Sequence, residues 1–443
     1  MQTVKLFKRT AALFAALAVA AAAAAITAFA DDAPLGKGTE TDPYIIRTGA
    51  ELVKIGGIEK GVGYITLAND IDLSAYAGQQ TCIIKKLTGK FDGAGHKITG
   101  LSLKGEKGER VNWSTTVYKY TGLIGELSGD VENLTISDAV ITGAEQYNFV
   151  GVLAAYIPEG STVEMKNCTV TGEIKDEASS PAAYLGTYVG TAQGSIDHNT
   201  TVRIDSCISN VNVDCSTAKN VGGVVGQALY YVNLTVCKCA VLGDINAAQY
   251  IGGILGFYTG DLNITLADSY FGGKLKGKNQ FGIAYSYAAP AAVTCSNVYY
   301  DSEKNGTLTM LNKTGNNKSI EAALEQIKGV TTAGIMALAS TLDGFEASDE
   351  FGGYPVPKQQ TAAAFSVTVD GNDVKVTAAK AGSYSLVLAS YSGEALADVQ
   401  IQTVTFANDG DGTTVSVPDG FTADGRSFMA MLWNGMCPLA KSE

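Results

Sequence analysis

Two histidines, His96 in Gly95-His96-Lys97 and His198 in His198-Asn-Thr-Thr201, are all the imidazole in 443 residues. Acid-base chemistry would therefore have to rest on carboxylates. Glycoside hydrolysis needs two of them held a fixed distance apart, and β-elimination needs a Ca²⁺-carboxylate site beside a basic residue. The one Asp-Asp pair, Asp31-Asp32, lies near the amino terminus. Asp138 and Asp268 fall in register in the repeating central region, but four coils apart; at about 4.8 Å per coil they are too distant to cooperate. The expectation is a protein that is not an enzyme. The alternative is a polysaccharide lyase or glycoside hydrolase of the β-helix type.

Metal and cofactor chemistry are equally thin, and none is expected. Asn408-Asp-Gly-Asp-Gly412 offers oxygen ligands but lacks the distal Glu of an EF-hand, and a hairpin turn explains it better. The eight cysteines are not spaced as zinc ligands or as a small disulfide scaffold. Cys168, Cys207 and Cys239 recur at equivalent repeat positions, where stacked side chains point the same way. A ladder of thiols packed as small hydrophobes is expected there. Tyrosine is the one enriched type with functional potential. Fifteen of the 21 Tyr fall between Tyr118 and Tyr300, and Tyr pairs an apolar face with a hydroxyl, as wet and sugar-stacking surfaces require. Tyr230, Tyr231 and Tyr258 follow the repeated glycine phrases and are the candidate ligand-binding residues.

The elements that must position these residues are announced by repetition. A glycine-centred phrase recurs as Tyr120-Thr-Gly122-Leu-Ile-Gly125, Phe149-Val-Gly151-Val-Leu-Ala154, Leu185-Gly-Thr-Tyr-Val-Gly190, Val221-Gly222-Gly223-Val-Val-Gly226, Ile251-Gly252-Gly253-Ile-Leu-Gly256 and Phe281-Gly-Ile-Ala-Tyr-Ser286. The last positions are 29, 36, 36, 30 and 30 residues apart. An alternating strand follows each phrase, as in Val202-Arg-Ile-Asp-Ser-Cys207 and Leu234-Thr-Val-Cys-Lys-Cys239. Period-2 alternation implies β structure with one face buried. A unit of this length cannot bury that face alone, so copies must stack. A right-handed parallel β-helix satisfies both conditions. It would place Ile136, Met165, Ile204, Val236, Leu266 and Cys295 in one inward column, and Ala139, Cys168, Cys207, Cys239, Ser269 and Val298 in a second. The glycines suit corners with positive φ, or places where backbones approach closely.

The phrases at 222–226 and 252–256, each followed by a strand, resemble the GLUG-motif repeats of secreted bacterial proteins. Phe91-Asp-Gly-Ala-Gly-His-Lys-Ile98, Val298-Tyr-Tyr-Asp301 and Gly353-Tyr-Pro-Val-Pro357 fit that pattern too, and the resemblance covers residues 36–358. It implies an adhesin-like β-helical protein at or outside the cell surface.

The ends differ in kind. Residues 1–30 carry Lys5, Lys8 and Arg9, an Ala-rich run and Ala28-Phe29-Ala30, the order of a cleaved export signal. Its removal takes 32 basic residues to 29 against 44 acidic ones, moving the net charge from −12 to −15. Such acidity repels a phosphate backbone and argues against nucleic-acid partners. With the signal gone, no stable membrane insertion is expected. Residues 31–318 form the solenoid, with a short helix at 48–57 as its amino-terminal cap. Residues 319–358 supply a helical carboxyl cap, with helices at 319–328 and 332–342. Residues 362–443, with strands about 10 residues apart, suggest a small immunoglobulin-like β-sandwich. Together these features predict a secreted or surface-associated protein that binds a glycan or a host or matrix surface.

Overall fold

The computed structural model describes residues 34–112, 115–143, 145–175, 183–286, 290–311, 317–358, 366–370, 372–378, 382–393, 395–408, 411–422, 426–434 and 437–441. The export signal expected at 1–30 lies outside these residues. The chain divides into two compact units, Gly36–Thr361 and one that holds Ala362–Glu443.

In the first unit, strands from successive coils pair in parallel. Thr162–Lys166 lies beside Thr200–Asp205, which lies beside Val232–Cys237, then Leu262–Phe271, then Ala292–Asp301. One register column runs from Tyr44 through Ile65, Phe91, Val131, Met165, Ile204, Val236 and Leu266 to Cys295. That continuity, with sheets of 19 and 12 strands, is a parallel β-helix. Its interior is one apolar cluster reaching from Ile46 to Ile320. Each coil buries its Val, Ile and Leu only because its neighbours are stacked on it.

The columns differ from expectation at one end. Val131, not Ile136, pairs with Met165, while Ile136 pairs with Val170 past the next corner. Leu134, not Ala139, stands over Cys168: Thr169 N donates to Leu134 O just as Ile208 N donates to Cys168 O. Both strands of that coil alternate with the same period, so periodicity alone does not say which of them stacks on Met165. Asp138 therefore shares no column with Asp268, whose counterpart in that coil is Asn133.

The corner before each of these positions is left-handed. Asn133, Asn167, Ser206, Lys238, Asp268 and Asn297 all have φ between 46° and 54°. Asn tolerates this conformation because its short side chain can bond locally. Here it bonds from coil to coil: Asn167 Nδ2 donates to Asn133 Oδ1 at 2.8 Å, and Asn297 Nδ2 to Asp268 Oδ1 at 2.7 Å. The phrase glycines do not supply these corners. They serve the other role, close approach: a Cβ on Gly222 would sit 1.9 Å from Val225 O, and one on Gly252 2.0 Å from Leu255 O.

At the amino-terminal end, helix Gly49–Gly56 is capped by Thr48 Oγ1, which accepts from Glu51 N at 3.3 Å. The Glu51 carboxylate is paired with Arg47. At the other end the 319–328 helix is shorter than expected. It runs Lys318–Leu324 from an Asn317 cap, and Ile327–Val330 forms a strand instead. That strand pairs with Val298–Asp301, because the open edge of the last coil offers it a full ladder of partners. Helix Thr332–Met336 and the 3₁₀ turn Ala337–Ser340 follow. Ile335 and Leu338 pack with Ala240, Tyr270 and Phe345.

The second unit is a β-sandwich of two antiparallel sheets. Ser366–Asp370, Asp373–Thr377 and Gly412–Ser416 form one. Ala395–Phe406, Gly382–Ser392, Arg426–Asn434 and Cys437–Lys441 form the other. Val374, Val376, Leu386, Leu388, Ala430 and Leu432 are buried.

Candidate functional site

The glycine phrases build more than a corner. In strand Leu255–Thr259, Leu255 and Tyr258 both join the core, while Gly256 and Phe257 between them are turned away from it, though Phe257 is itself buried. Equivalent strands repeat this three-residue step with Val225 and Ala228, Val189 and Ala192, and Ala154 and Ile157 inside. The first glycine of one coil also meets the last glycine of the next. A Cβ on Gly151 would lie 2.7 Å from Gly190 N, one on Gly186 2.5 Å from Gly226 N, and one on Gly222 2.6 Å from Gly256 N. With no side chains there, the two outer strand faces fold toward each other into a crease along the solenoid.

Two outward columns face each other across the crease. One is Tyr120, Phe149, Tyr184, Asn220 and Tyr250. The other is Lys86, Glu126, Tyr156, Thr191, Gln227, Phe257 and Tyr285. At one end Tyr120 stacks on Tyr156 with ring centroids 5.4 Å apart, and Tyr118 stacks on Phe149 at 4.4 Å. Phe149 also meets Tyr156 at 5.5 Å and Tyr184 at 5.7 Å. At the other end Tyr250 stacks on Tyr285 at 3.8 Å, with Phe257 and Phe281 beside it. Phe149 is buried, whereas Tyr118 is 39% exposed and Tyr120, Tyr156, Tyr184, Tyr250 and Tyr285 are half-buried. The hairpin Glu109–Arg110 and Thr116–Val117 leads into Tyr118 and carries exposed Val111 and Val117.

The chemistry of the crease is that of neutral contact. Burial pushes the Tyr156 phenol up to about 12, helped by Tyr120 and Glu126, and it raises Tyr120 and Tyr184 as well. These hydroxyls stay protonated, and Tyr156 donates to Gln193 Oε1 at 3.2 Å. Glu126 is paired with Lys86 at 2.5 Å. Among the described residues no group of three or more His, Cys, Asp or Glu side chains could hold a metal ion.

The residues singled out from sequence fall in three places. Tyr230 and Tyr231 occupy a surface corner with φ of 49° and 42°. Tyr230 is 50% exposed, and Ile196 in the adjoining coil is 73% exposed. Tyr258 does not join them. It is fully buried, because the three-residue step turns it into the core while Phe257 turns the other way, so it cannot contact a ligand there. Cys168, Cys207 and Cys239 are buried free thiols. Their sulfurs donate to the carbonyls of Lys166, Asp205 and Cys237 at 3.3, 3.1 and 3.1 Å. Burial raises the Cys168 and Cys239 thiols well above the ordinary value. His198 is an exposed loop residue. The aromatic crease itself is what sequence reasoning missed; its signal was an aromatic residue two positions before the first glycine, in Tyr120, Phe149, Tyr184 and Tyr250.

No family model matches the chain. Over 157 residues, 33% of this chain, it is 30% identical to Halomucin of Haloquadratum walsbyi, and it spans 2% of that protein's length. Among solved structures it is similar to a "putative immunoglobulin A1 protease" from Bacteroides ovatus. The TM-score is 0.51 with 19% sequence identity, over 73% of this chain and 95% of that one, a likeness of fold alone.

Proposed function

We propose that the protein is an exported, non-catalytic β-helix protein of the cell surface or its surroundings, which binds a glycan or matrix component through the crease. The observation that carries this is the half-exposed aromatic cluster of Tyr118, Tyr120 and Tyr156, in which Tyr120 and Tyr156 stack across the crease and Tyr118 stacks on Phe149. Stacking of a sugar face on a Tyr ring uses both the apolar ring and the hydroxyl at its rim. Binding is favoured over hydrolysis because Glu126, the carboxylate in the two outward columns, is neutralised by Lys86, whereas hydrolysis needs two working carboxyl groups. The shared role of Gly222, Gly226, Gly252 and Gly256 in close backbone approach supports kinship with the GLUG-motif repeat proteins.

The test is a glycan and matrix-protein array probed with the protein and with a Tyr118→Ala/Tyr120→Ala variant. Binding that the double variant loses supports the proposal. Release of reducing or unsaturated sugars from a glycan, or cleavage of immunoglobulin A1, the activity named for the Bacteroides ovatus protein, would overturn the non-catalytic part.

A further inference from the structure

Resting on that binding proposal, the crease also specifies its ligand's length and charge. The two aromatic clusters are separated along one column by Tyr156, Thr191, Gln227 and Phe257. Three inter-strand steps of roughly 4.8 Å place the ends about 14 Å apart, beyond the reach of one sugar ring. Polar groups fill the interval. Asn220 and Gln227 bring amides, and Thr191 brings a fully buried hydroxyl that, among the described residues, has no hydrogen-bond partner. A buried hydroxyl left unbonded costs stability, and this one lies between the two aromatic ends in the same outward column, one step from Tyr156 and two from Phe257. Tyr156 and Gln227 flank it in register, so their side chains must part for it to be reached.

Charge narrows the choice further. The acidic member of the columns, Glu126, is already paired with Lys86, and that pair sits beyond one aromatic end. The chain's net charge of −12 opposes any polyanion. We propose that the crease takes an uncharged, extended polysaccharide lying along the solenoid axis. Its two ends stack on the Tyr120–Tyr156 and Tyr250–Tyr285 clusters, and its hydroxyls bond to the polar middle around Thr191.

Isothermal titration of the full chain with cellohexaose, mannohexaose and xylohexaose tests this, against the matching disaccharides and hexagalacturonate. The expected result is that at least one neutral hexasaccharide binds tenfold or more tightly than its disaccharide and than hexagalacturonate. Tyr156→Ala and Tyr250→Ala each weaken the hexasaccharide about tenfold, while Tyr250→Phe, which keeps the ring, stays within twofold. Thr191→Val weakens binding several-fold while raising the melting temperature; a purely structural threonine would raise the melting temperature and leave binding alone. Failure of all three neutral chains, tighter binding of hexagalacturonate, affinity independent of length, or an inert Tyr250→Ala overturns the inference. If the array above still finds a ligand that depends on Tyr118 and Tyr120, the binding proposal survives those results; a blank array sinks both.

Discussion

Tyr120 and Tyr156 lie on different coils, yet their rings are parallel to within 1° at a centroid distance of 5.4 Å. Neither is the other's register partner, since Tyr120 pairs with Phe149 and Tyr156 with Glu126. Their contact is made across the crease. Removing the ring and removing the hydroxyl should therefore have separable effects. Tyr156→Phe forfeits the bond to Gln193 and should cost about 1 kcal/mol. Tyr156→Ala also loses the stack and its burial, about 3 kcal/mol in all. Urea unfolding of the two variants checks the order; equal losses would mean that the stack contributes nothing.

If the glycines exist for close approach, a methyl group is enough to break the crease. Gly222→Ala and Gly252→Ala drive a Cβ into a carbonyl oxygen at about the length of a covalent bond plus half an ångström, 1.9 and 2.0 Å. Each should cost about 3 kcal/mol, the upper end for overpacking, because backbone rather than a side chain must yield. Gly57→Ala is the control: it ends the amino-terminal helix at φ −75° with its nearest neighbour 3.6 Å away. That change should be neutral or stabilise by about 0.5 kcal/mol through the unfolded state. Thermal melts of all three decide the matter.

The solenoid was legible because its signal is redundant. Met165, Ile204, Val236, Leu266 and Cys295 each sit in an alternating strand, and a wrong choice at one copy, as with Ile136, leaves the column intact. The crease was not legible because it depends on a break in that same alternation. Gly256 inserts a step after which Tyr258 faces inward and Phe257 outward, and a period-2 reading assigns both to the wrong side. Nor could spacing show that Tyr118, Phe149 and Tyr156 meet, since the approach is set by Gly151 and Gly190 in neighbouring coils. The corners misled for a chemical reason. Gly is the default at positive φ, but a ladder of Asn side chains adds coil-to-coil hydrogen bonds that Gly cannot make.

Those corners give a clean substitution test at Asn167, where φ is 54° and the amide donates to Asn133. Asn167→Gly keeps the conformation and loses the side-chain contacts, the hydrogen bond to Asn133 being worth about 1 kcal/mol. Asn167→Ala loses the bond and adds left-handed strain of about 1–2 kcal/mol. Alanine should thus be the worse replacement, the reverse of its usual ranking in regular structure. A glycine variant less stable than the alanine variant would refute the account of the corner.

Alkali should destabilise the fold through groups kept neutral by burial. Tyr156 is pushed up to about 12, Cys237 to about 12 by burial and Asp205, and Cys295 to about 11 by burial. In the unfolded chain the phenol and thiols ionise near their ordinary values of 10.0 and 9.0. Each folded value is raised, so its contribution is whole below the unfolded value and is lost as pH rises through the folded one. The urea midpoint should stay level to about pH 9 and fall progressively from there toward 12. A midpoint unchanged between pH 9 and 11 would show that these groups are not held neutral.

Tyr230 raises the question of what a strained surface corner is for. In the next coil its register position belongs to Gly260, which has φ 82° and lies against the Tyr230 ring. Glycine therefore satisfies the same turn one coil away, yet this coil places two consecutive tyrosines in the left-handed region, at about 1–2 kcal/mol each. Strain without a folding benefit is characteristic of residues retained for contact. Tyr230→Gly should raise stability by about 1 kcal/mol once glycine's larger unfolded-state entropy is subtracted. The glycan array then assigns the corner. Lost binding together with the higher melting temperature would make Tyr230 a second contact outside the crease, whereas unchanged binding would confine recognition to the crease and leave the corner's strain without a binding role.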